Sequence, residues 1–318
     1  MIVTLTPNPS LDRTIELEAL TRGEVHRAVS TRVEAGGKGV NVSRCLAAHG
    51  VPTVAILPAG GSEGAQLSSL LADDGLQVSA VPLNSSTRSN VTLVEPDGTT
   101  TKINEPGPEP TAAEVLAMTD RVGSLAGSSS WVVLSGSLPP GVPRRFYADL
   151  IDVVHRHGAK VAVDSSGLAL AEAVTARPDL IKPNDEELAE LTGAELLTWG
   201  DVVPQAEKLR ADGVGAVLVS LGGDGALLID DAGVHRAYAG PVEVRSTVAA
   251  GDSTLAGYLI ATEHGATSAD ALRTAVAFGT AAVTLPGSGM PGPTDIFLDR
   301  VSVEESPALF HQLKGASA

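Results

Sequence analysis

Ser246-Thr247-Val248-Ala249-Ala250-Gly251-Asp252-Ser253 runs directly into an apolar, helix-like stretch from Thr254 to about Glu263. Small residues and a glycine at a helix start leave backbone N–H groups without intrahelical acceptors. Those groups and the helix dipole attract anions. One carboxylate, Asp252, stands among them, and the surroundings predict that it stays ionised, ready to take a proton from a hydroxyl. An anion hole beside a base is what phosphoryl transfer to an alcohol requires. A helix-capping Asp after a flexible turn has the same letters, so the rest of the chain must decide.

Outward from that segment, strand-like and helix-like stretches alternate. Short β-rich runs are Ile2–Leu5, Thr53–Leu57, Trp131–Leu134, Lys160–Val163, Leu180–Lys182 and Ala216–Leu221. Helical patterns occupy Asn41–His49, Gly64–Asp74, Thr111–Leu125, Arg144–His157, Asp185–Leu191 and Asp201–Asp212. Such alternation predicts an α/β fold, three layers with a mostly parallel central sheet and helices on both faces. Ligands then bind beyond the carboxyl ends of the strands. Arg13–Glu34 and Thr87–Lys102 lack helical periodicity and read as ribbons, the second with an Asp97-Gly98 hairpin turn. Together they predict a small sheet apart from the main layer, a lid formed by about residues 12–35 and 87–105 within a single domain spanning residues 1–318. The last stretch, Gly315–Ala318, is expected to fray.

Composition narrows the function. Aromatic residues make up 3% of the 318 residues, so the core must be aliphatic. A formal charge of −16 argues against nucleic acid or an anionic membrane as partner. An anionic substrate needs a local basic pocket against that background. The single cysteine, Cys45, excludes an internal disulfide and fits a reducing compartment. No run approaches a membrane span, and the N-terminus lacks the pattern of a signal peptide. The expected location is the cytoplasm.

Several motifs mislead by letter. Gly287-Ser288-Gly289-Met290-Pro291-Gly292 matches a dinucleotide fingerprint but contains a proline and opens no obvious helix. His155 and His157 face apart on a helix and read as a solvated end, not a metal site. Gly60-Gly61-Ser62-Glu63-Gly64 matches a nucleophile elbow between a strand and a helix. Pro58-Ala59 is expected to separate that strand from the turn, which would keep Ser62 off a sharp elbow.

Three other segments agree with phosphoryl transfer. Gly36-Gly37-Lys38-Gly39-Val40-Asn41 lets a ligand approach the backbone and adds a cation and an amide. Asn184 and Glu187 are three residues apart at a helix start, where they address one spot. A hard Mg²⁺ prefers oxygen and keeps its waters, so Glu187 would act through water; an acidic capping turn has the same pattern. Leu218–Ala226 is a buried strand ending in a glycine turn that suits a nucleotide, or simply a tight hairpin.

Taken together and in order, these segments resemble the ribokinase-like, phosphofructokinase-B family of sugar kinases over nearly the whole chain. Gly36–Asn41 is similar to its first signature, Ser246–Asp252 to its second, and Asn184 with Glu187 to its N-x-x-E motif. Thr6–Asp12, Ser135–Gly141 and Asp164–Gly167 resemble the branch acting on hexose phosphates. The resemblance implies a ribokinase-like fold with a β-sheet lid, often paired across a homodimer. It implies ATP and Mg²⁺ as cofactors, with a monovalent cation as a further candidate. ATP would meet Asn184, Glu187, Ser220, Gly222 and Gly225. Sugar hydroxyls would meet Asp12, Gly37 and Asn41, and the sugar's phosphate would meet Arg88, Lys38 and Arg27. Asp252 would be the base, with the N–H groups of Ala249, Ala250 and Gly251 as the anion hole. Fructose 1-phosphate is the favoured substrate, from the likeness of Arg22–Arg27 and Ile103–Pro108; tagatose 6-phosphate and fructose 6-phosphate are the alternatives.

One position departs. The family reads G-A-G-D where this chain has Ala249-Ala250-Gly251-Asp252. A positive φ at 249 would cost alanine roughly 1 kcal/mol. That departure keeps open a catalytically silent sugar-phosphate-binding regulator, which ATP turnover would exclude. A serine hydrolase using Ser62 also stays open, to be tested by fluorophosphonate labelling.

Overall fold

The computed structural model describes residues 1–305 and Pro307. The expected fraying of Gly315–Ala318 lies outside them. In chain order the elements are β1 (Ile2–Leu5), β2 (Ser10–Glu16), β3 (Ser30–Gly36), α1 (Lys38–Ala48), β4 (Thr53–Ala59), α2 (Gly61–Asp73) and β5 (Gln77–Pro82). Next come β6 (Arg88–Val94), β7 (Thr100–Asn104), α3 (Ala112–Ala126), β8 (Trp131–Ser135), α4 (Phe146–Arg156), β9 (Lys160–Asp164), α5 (Gly167–Thr175) and β10 (Leu180–Ile181). Then follow α6 (Asp185–Thr192), α7 (Trp199–Ala211), β11 (Val217–Ser220), β12 (Ala226–Asp230), β13 (Gly233–Ala239), α8 (Ala250–Glu263), α9 (Ser268–Val283) and β14 (Val301–Glu305).

Ten strands form one sheet in the order β14-β13-β12-β11-β10-β9-β8-β1-β4-β5. Pairing from β11 through to β5 is parallel, and β11 to β14 is antiparallel. Strand side chains alternate between faces, and the two faces carry separate cores. Val3, Leu5, Val132 and Leu134 pack with α3 to α7. Ile2 and Val133 pack with α1, α8 and α9, and Ala55 and Leu57 pack with α2. The result is the three-layer α/β arrangement predicted from alternation. Cys45 is buried in the second core, and burial pushes its thiol up to about 12, so it stays a protonated small apolar residue at neutral pH.

The second sheet has four strands in the order β3-β2-β6-β7. Sequence periodicity located these ribbons; the parallel β2–β6 pairing, with Ser10 opposite Arg88 and Glu16 opposite Val94, was not legible locally. The hairpin turns at Asp97-Gly98, where Gly98 has φ 89. Four connections join this sheet to the main layer, and two of them line the site: β1 leads by residues 6–9 into β2, and β3 leads by Gly37 into α1.

Two expectations about bounds change. β4 continues through Pro58 to Ala59, so no break separates it from the glycine turn. Pro58 lies beyond the last β1–β4 pair, Leu5 with Ile56, where β4 keeps register with β5 alone. Helix α8 begins four residues earlier than its apolar run, at Ala250.

Candidate functional site

Strand order reverses about β1, and there a parallel sheet opens a crevice at its carboxyl edge. The crevice is a cleft of about 540 Å³. Thr6, Ser137, Asp164, Lys182 and Ser220 line it from the ends of successive main-sheet strands. Asp12, Arg88 and Asn90 line it from the small sheet.

Asp252 sits in the first turn of α8, at the cleft wall, and is 6% exposed. Among the described residues no side chain caps this helix; Ala249 and Gly251 line the cleft as expected of an anion hole, whereas Ala250 does not, and its N–H bonds the Thr247 carbonyl at 3.5 Å. Ala249 precedes it with φ 60 and ψ 6, a left-handed conformation that a Cβ disfavours. Position 249 therefore does need a positive φ. The alanine strains the turn but does not prevent it. The helix start alone does not set the protonation of Asp252. Burial, and then the charge of Asp164, push its carboxyl up to about 6, against the pull of Asn41, Lys182 and Lys38. At neutral pH it is still mostly the base.

Asn41 lines the cleft as expected and has a partner that the sequence did not show. Its Nδ2 donates to Asp252 Oδ2 at 2.8 Å, so the amide orients the carboxylate. Lys38 also has company that sequence did not show. Its Nζ lies 2.8 Å from Asp164 Oδ1 and 3.4 Å from Glu187 Oε1. Burial works against the ammonium, but the charges of Asp164 and Glu187 outweigh it and hold Lys38 firmly protonated. Lys182 Nζ lies 3.2 Å from Asp164 Oδ2. Asp164 is fully buried, yet Lys182 and Lys38 together hold its carboxyl below the usual range. Neither Asp164 nor Lys182 was given a role from sequence. The signals available were the resemblance of Asp164–Gly167 to the hexose-phosphate branch and the position of both residues at the carboxyl ends of β-rich runs.

Asn184 and Glu187 form a reciprocal capping box on α6. Asn184 Oδ1 accepts from the Glu187 N–H at 2.6 Å, and Glu187 Oε2 accepts from the Asn184 N–H at 3.0 Å. The capping turn is thus real, and it leaves Glu187 Oε1 toward Lys38. Among the described residues, no group of three or more His, Cys, Asp or Glu could hold a metal ion. A divalent cation fits this site only if phosphates and water supply most of its ligands, with Glu187 at one remove. Ser220 lines the cleft; Gly222 and Gly225 do not appear in its lining. A Cβ on Gly225 would overlap the backbone at Ala237 and Tyr238, so that glycine answers to strand packing.

On the sugar side, Asp12 Oδ1 accepts from Ser10 Oγ at 2.7 Å and from Asn90 Nδ2 at 2.9 Å. A Cβ on Gly36 would overlap the Asp12 carboxylate, and one on Gly37, at φ 128, would come within 2.7 Å of Thr6. Arg88 donates from Nε and Nη2 to the Asn8 carbonyl, at 3.3 and 3.1 Å, and from Nη1 to the Glu105 carbonyl at 2.9 Å. Three of its five N–H groups are thereby used, and one on each Nη remains. Burial lowers its pKa, against the charges of Asp12 and Glu105. Arg27 is not among the cleft residues; it lies exposed between β2 and β3.

The rival motifs find structural roles. Ser62 is exposed within the first turn of α2 and donates to its neighbour Glu63, with no histidine partner among the described residues. Gly60 and Gly61 let α2 approach residues 83–87, where a Cβ would overlap the backbone and Ser86. Ser288 of the glycine loop donates to Glu34 Oε1 at 3.0 Å. His155 pairs with Asp179 and His157 with its own helix.

Among the described residues, no helix is long and apolar enough to cross a membrane. Residues 5–295 match the pfkB family carbohydrate kinase model. The chain is 39% identical to the 1-phosphofructokinase of Haloferax volcanii over 305 residues, covering 96% of this chain and 98% of that one. It is 36% identical over 291 residues to the ATP-dependent 6-phosphofructokinase isozyme 2 of Escherichia coli, covering 90% and 94%. A solved structure of Escherichia coli phosphofructokinase-2 in complex with potassium superimposes with a TM-score of 0.88 at 35% identity, covering 92% of this chain and 96% of that one. Arabidopsis thaliana ribokinase, complexed with ribose and ATP, gives a TM-score of 0.75 at 25% identity, covering 92% and 96%. An uncapped helix start beside a buried carboxylate, two lysines beneath it, and likeness over almost the full length place the chain in one group: it belongs to the pfkB family of carbohydrate kinases and is a sugar phosphotransferase.

Proposed function

We propose that this kinase transfers the γ-phosphoryl group of ATP to a hydroxyl of fructose 1-phosphate, giving fructose 1,6-bisphosphate. The observation that carries the chemistry is Asp252, a buried carboxylate held by Asn41 at an uncapped helix start that opens on the cleft. Asp252 accepts the proton of the attacking hydroxyl. The first-turn N–H groups of α8 and the two ammonium groups meet the charge that spreads over the oxygens of the moving phosphoryl group. When bound with the nucleotide, Mg²⁺ neutralises charge on the phosphate oxygens, and Glu187 would face it through water. Asp12 and Asn90 bind sugar hydroxyls, and the two remaining N–H groups of Arg88 suit a phosphate. The small sheet acts as a lid that excludes water from the transfer.

The choice among hexose phosphates favours fructose 1-phosphate because of the likeness of residues 22–27 and 103–108 to that group and the 39% identity to the Haloferax volcanii enzyme. A coupled ADP-release assay with fructose 1-phosphate, tagatose 6-phosphate and fructose 6-phosphate tests it. Highest kcat/KM with either of the other two overturns the choice. Rates in potassium and in an organic monovalent salt test the further cation. Exposed Val25 and Val29 between β2 and β3, with exposed Ile103 of β7, support a homodimer through the lid, which the sedimentation mass of the protein would check.

A further inference from the structure

Two flexible side chains at the site depend on one rigid one. Lys38 and Lys182 enter the cleft from different elements, the first residue of α1 and the residue after β10. A lysine has four rotatable bonds and high rotamer entropy, so it holds a position only when a partner fixes it. Asp164 is that partner for both, at 2.8 and 3.2 Å. Its own position leaves little freedom. It ends β9 opposite Ser135 of β8, its carbonyl accepts from the Gly136 N–H, and the Lys182 N–H bonds the Val163 carbonyl beside it.

Placement gives the pair a purpose. The ammonium of Lys182 lies 3.2 Å from where a Cβ on Gly251 would stand, against the first turn of α8. Lys38 reaches instead to Glu187, at the start of α6. The two ammonium groups therefore stand on either side of Asp164, between the helix start that carries the base and the one assigned to the nucleotide. A carboxylate closer to solvent could not do this as well, because water would compete for both lysines. A neutral group would leave two like charges side by side and free to pair with Asp252.

We propose that Asp164 is a positioning residue for phosphoryl transfer: its buried carboxylate pins Lys38 and Lys182 on either side of the space in front of α8 and keeps both from pairing directly with Asp252. This rests on the kinase chemistry proposed above and adds a residue that does not itself touch substrate. Its effect belongs to the transition state, where charge spreads over the transferred group, so kcat should respond more than KM.

The test is a mutant cycle of wild type, Asp164→Asn, Lys38→Met with Lys182→Met, and all three changes together. The hexose phosphate that wild type uses best serves throughout, so a wrong choice of sugar changes the substrate and not the outcome. Asp164→Asn should lower kcat about 10- to 100-fold, the range that misplaced electrostatic groups produce, with each KM moving less than about threefold. In the lysine-free background the same change should cost less than about threefold, because nothing remains to be positioned. An equal factor in both backgrounds, or a loss confined to KM, overturns the proposal. If Asp164→Asn does not fold, Asp164→Glu keeps the charge and displaces it by one methylene. A normal melting temperature with a tenfold lower kcat then supports positioning, and a normal kcat refutes it.

Discussion

Replacing the base should make the protein more stable as it makes it inactive. Asp252 has a folded pKa of about 6 against an ordinary 3.8. The folded state thus binds this proton more tightly than the unfolded state does. Stability from this group is fully present below pH 3.8 and is lost as pH rises through about 6. At pH 8 the ionised carboxylate costs the fold up to about 3 kcal/mol, at 1.36 kcal/mol per pKa unit. Asp252→Asn keeps the shape, and its amide oxygen can still accept from Asn41, so most of that cost disappears. Allowing for a weaker, neutral hydrogen bond, the gain is about 1–3 kcal/mol. For 318 residues the unfolding entropy is about 0.7 kcal/mol per degree, which converts the gain to roughly 2–4 °C in Tm. The same variant should lose about 10²–10⁴ in kcat, the range for a general base. Calorimetry of both proteins at pH 8 and pH 5, without substrates, reads the first effect, and the ADP-release assay reads the second. The Tm gap should shrink at pH 5, where wild type is itself largely protonated. An unchanged or lower Tm at pH 8 would refute the electrostatic reasoning. A variant retaining more than a tenth of wild-type kcat would show that Asp252 is not the base.

Three further outcomes are expected. Glu187→Gln should raise the Mg²⁺ concentration for half-maximal rate while leaving sugar-phosphate KM nearly unchanged; an unchanged Mg²⁺ titration would leave Glu187 with only its capping role. Arg88→Ala removes a charge-assisted contact of about 1.5–3 kcal/mol, or roughly 10- to 150-fold in kcat/KM for the sugar phosphate. Wild type should use unphosphorylated fructose poorly, and the substitution should not worsen it; equal losses for both would mean that Arg88 shapes the small sheet and does not read phosphate. Ala249→Gly relieves a left-handed alanine and should raise stability by about 0.5–1 kcal/mol in a urea titration; a decrease would mean that the alanine methyl packs usefully.

How much of this was readable depended on how local each cause is. The parallel layer followed from alternation, and Asp252, Lys38 and Asn184 followed from short segments whose backbone chemistry is local. Non-local pairings were not readable. Nothing near Asn41 in the chain indicates that it bonds a carboxylate 211 positions away. The Lys38–Asp164 pair spans 126 positions. Those contacts gave Asn41 and Lys38 partners that no local pattern shows, and the Lys182–Asp164 pair is equally non-local. The raised pKa of Asp252 was not readable, because its helix start was visible and its burial was not. Gly222 and Gly225 were attributed to a ligand because a glycine turn looks alike whether it admits a phosphate or, as at Gly225, a neighbouring strand.

The place of β1 in the sheet has a consequence for the nascent chain. Its four residues, Ile2-Val3-Thr4-Leu5, are buried and carry no charge. One neighbour, β4, begins at Thr53, and the other, β8, begins at Trp131. The second arrives roughly 80 residues after the first, on the order of 4–16 s later at ordinary rates of synthesis. For that interval an apolar strand presents a bare edge to its surroundings, with no lysine or proline to discourage a stranger from pairing. Solubility during production should therefore depend on how that delay is spent. Cooler, dilute or chaperone-assisted synthesis should favour soluble protein even where the finished fold is robust.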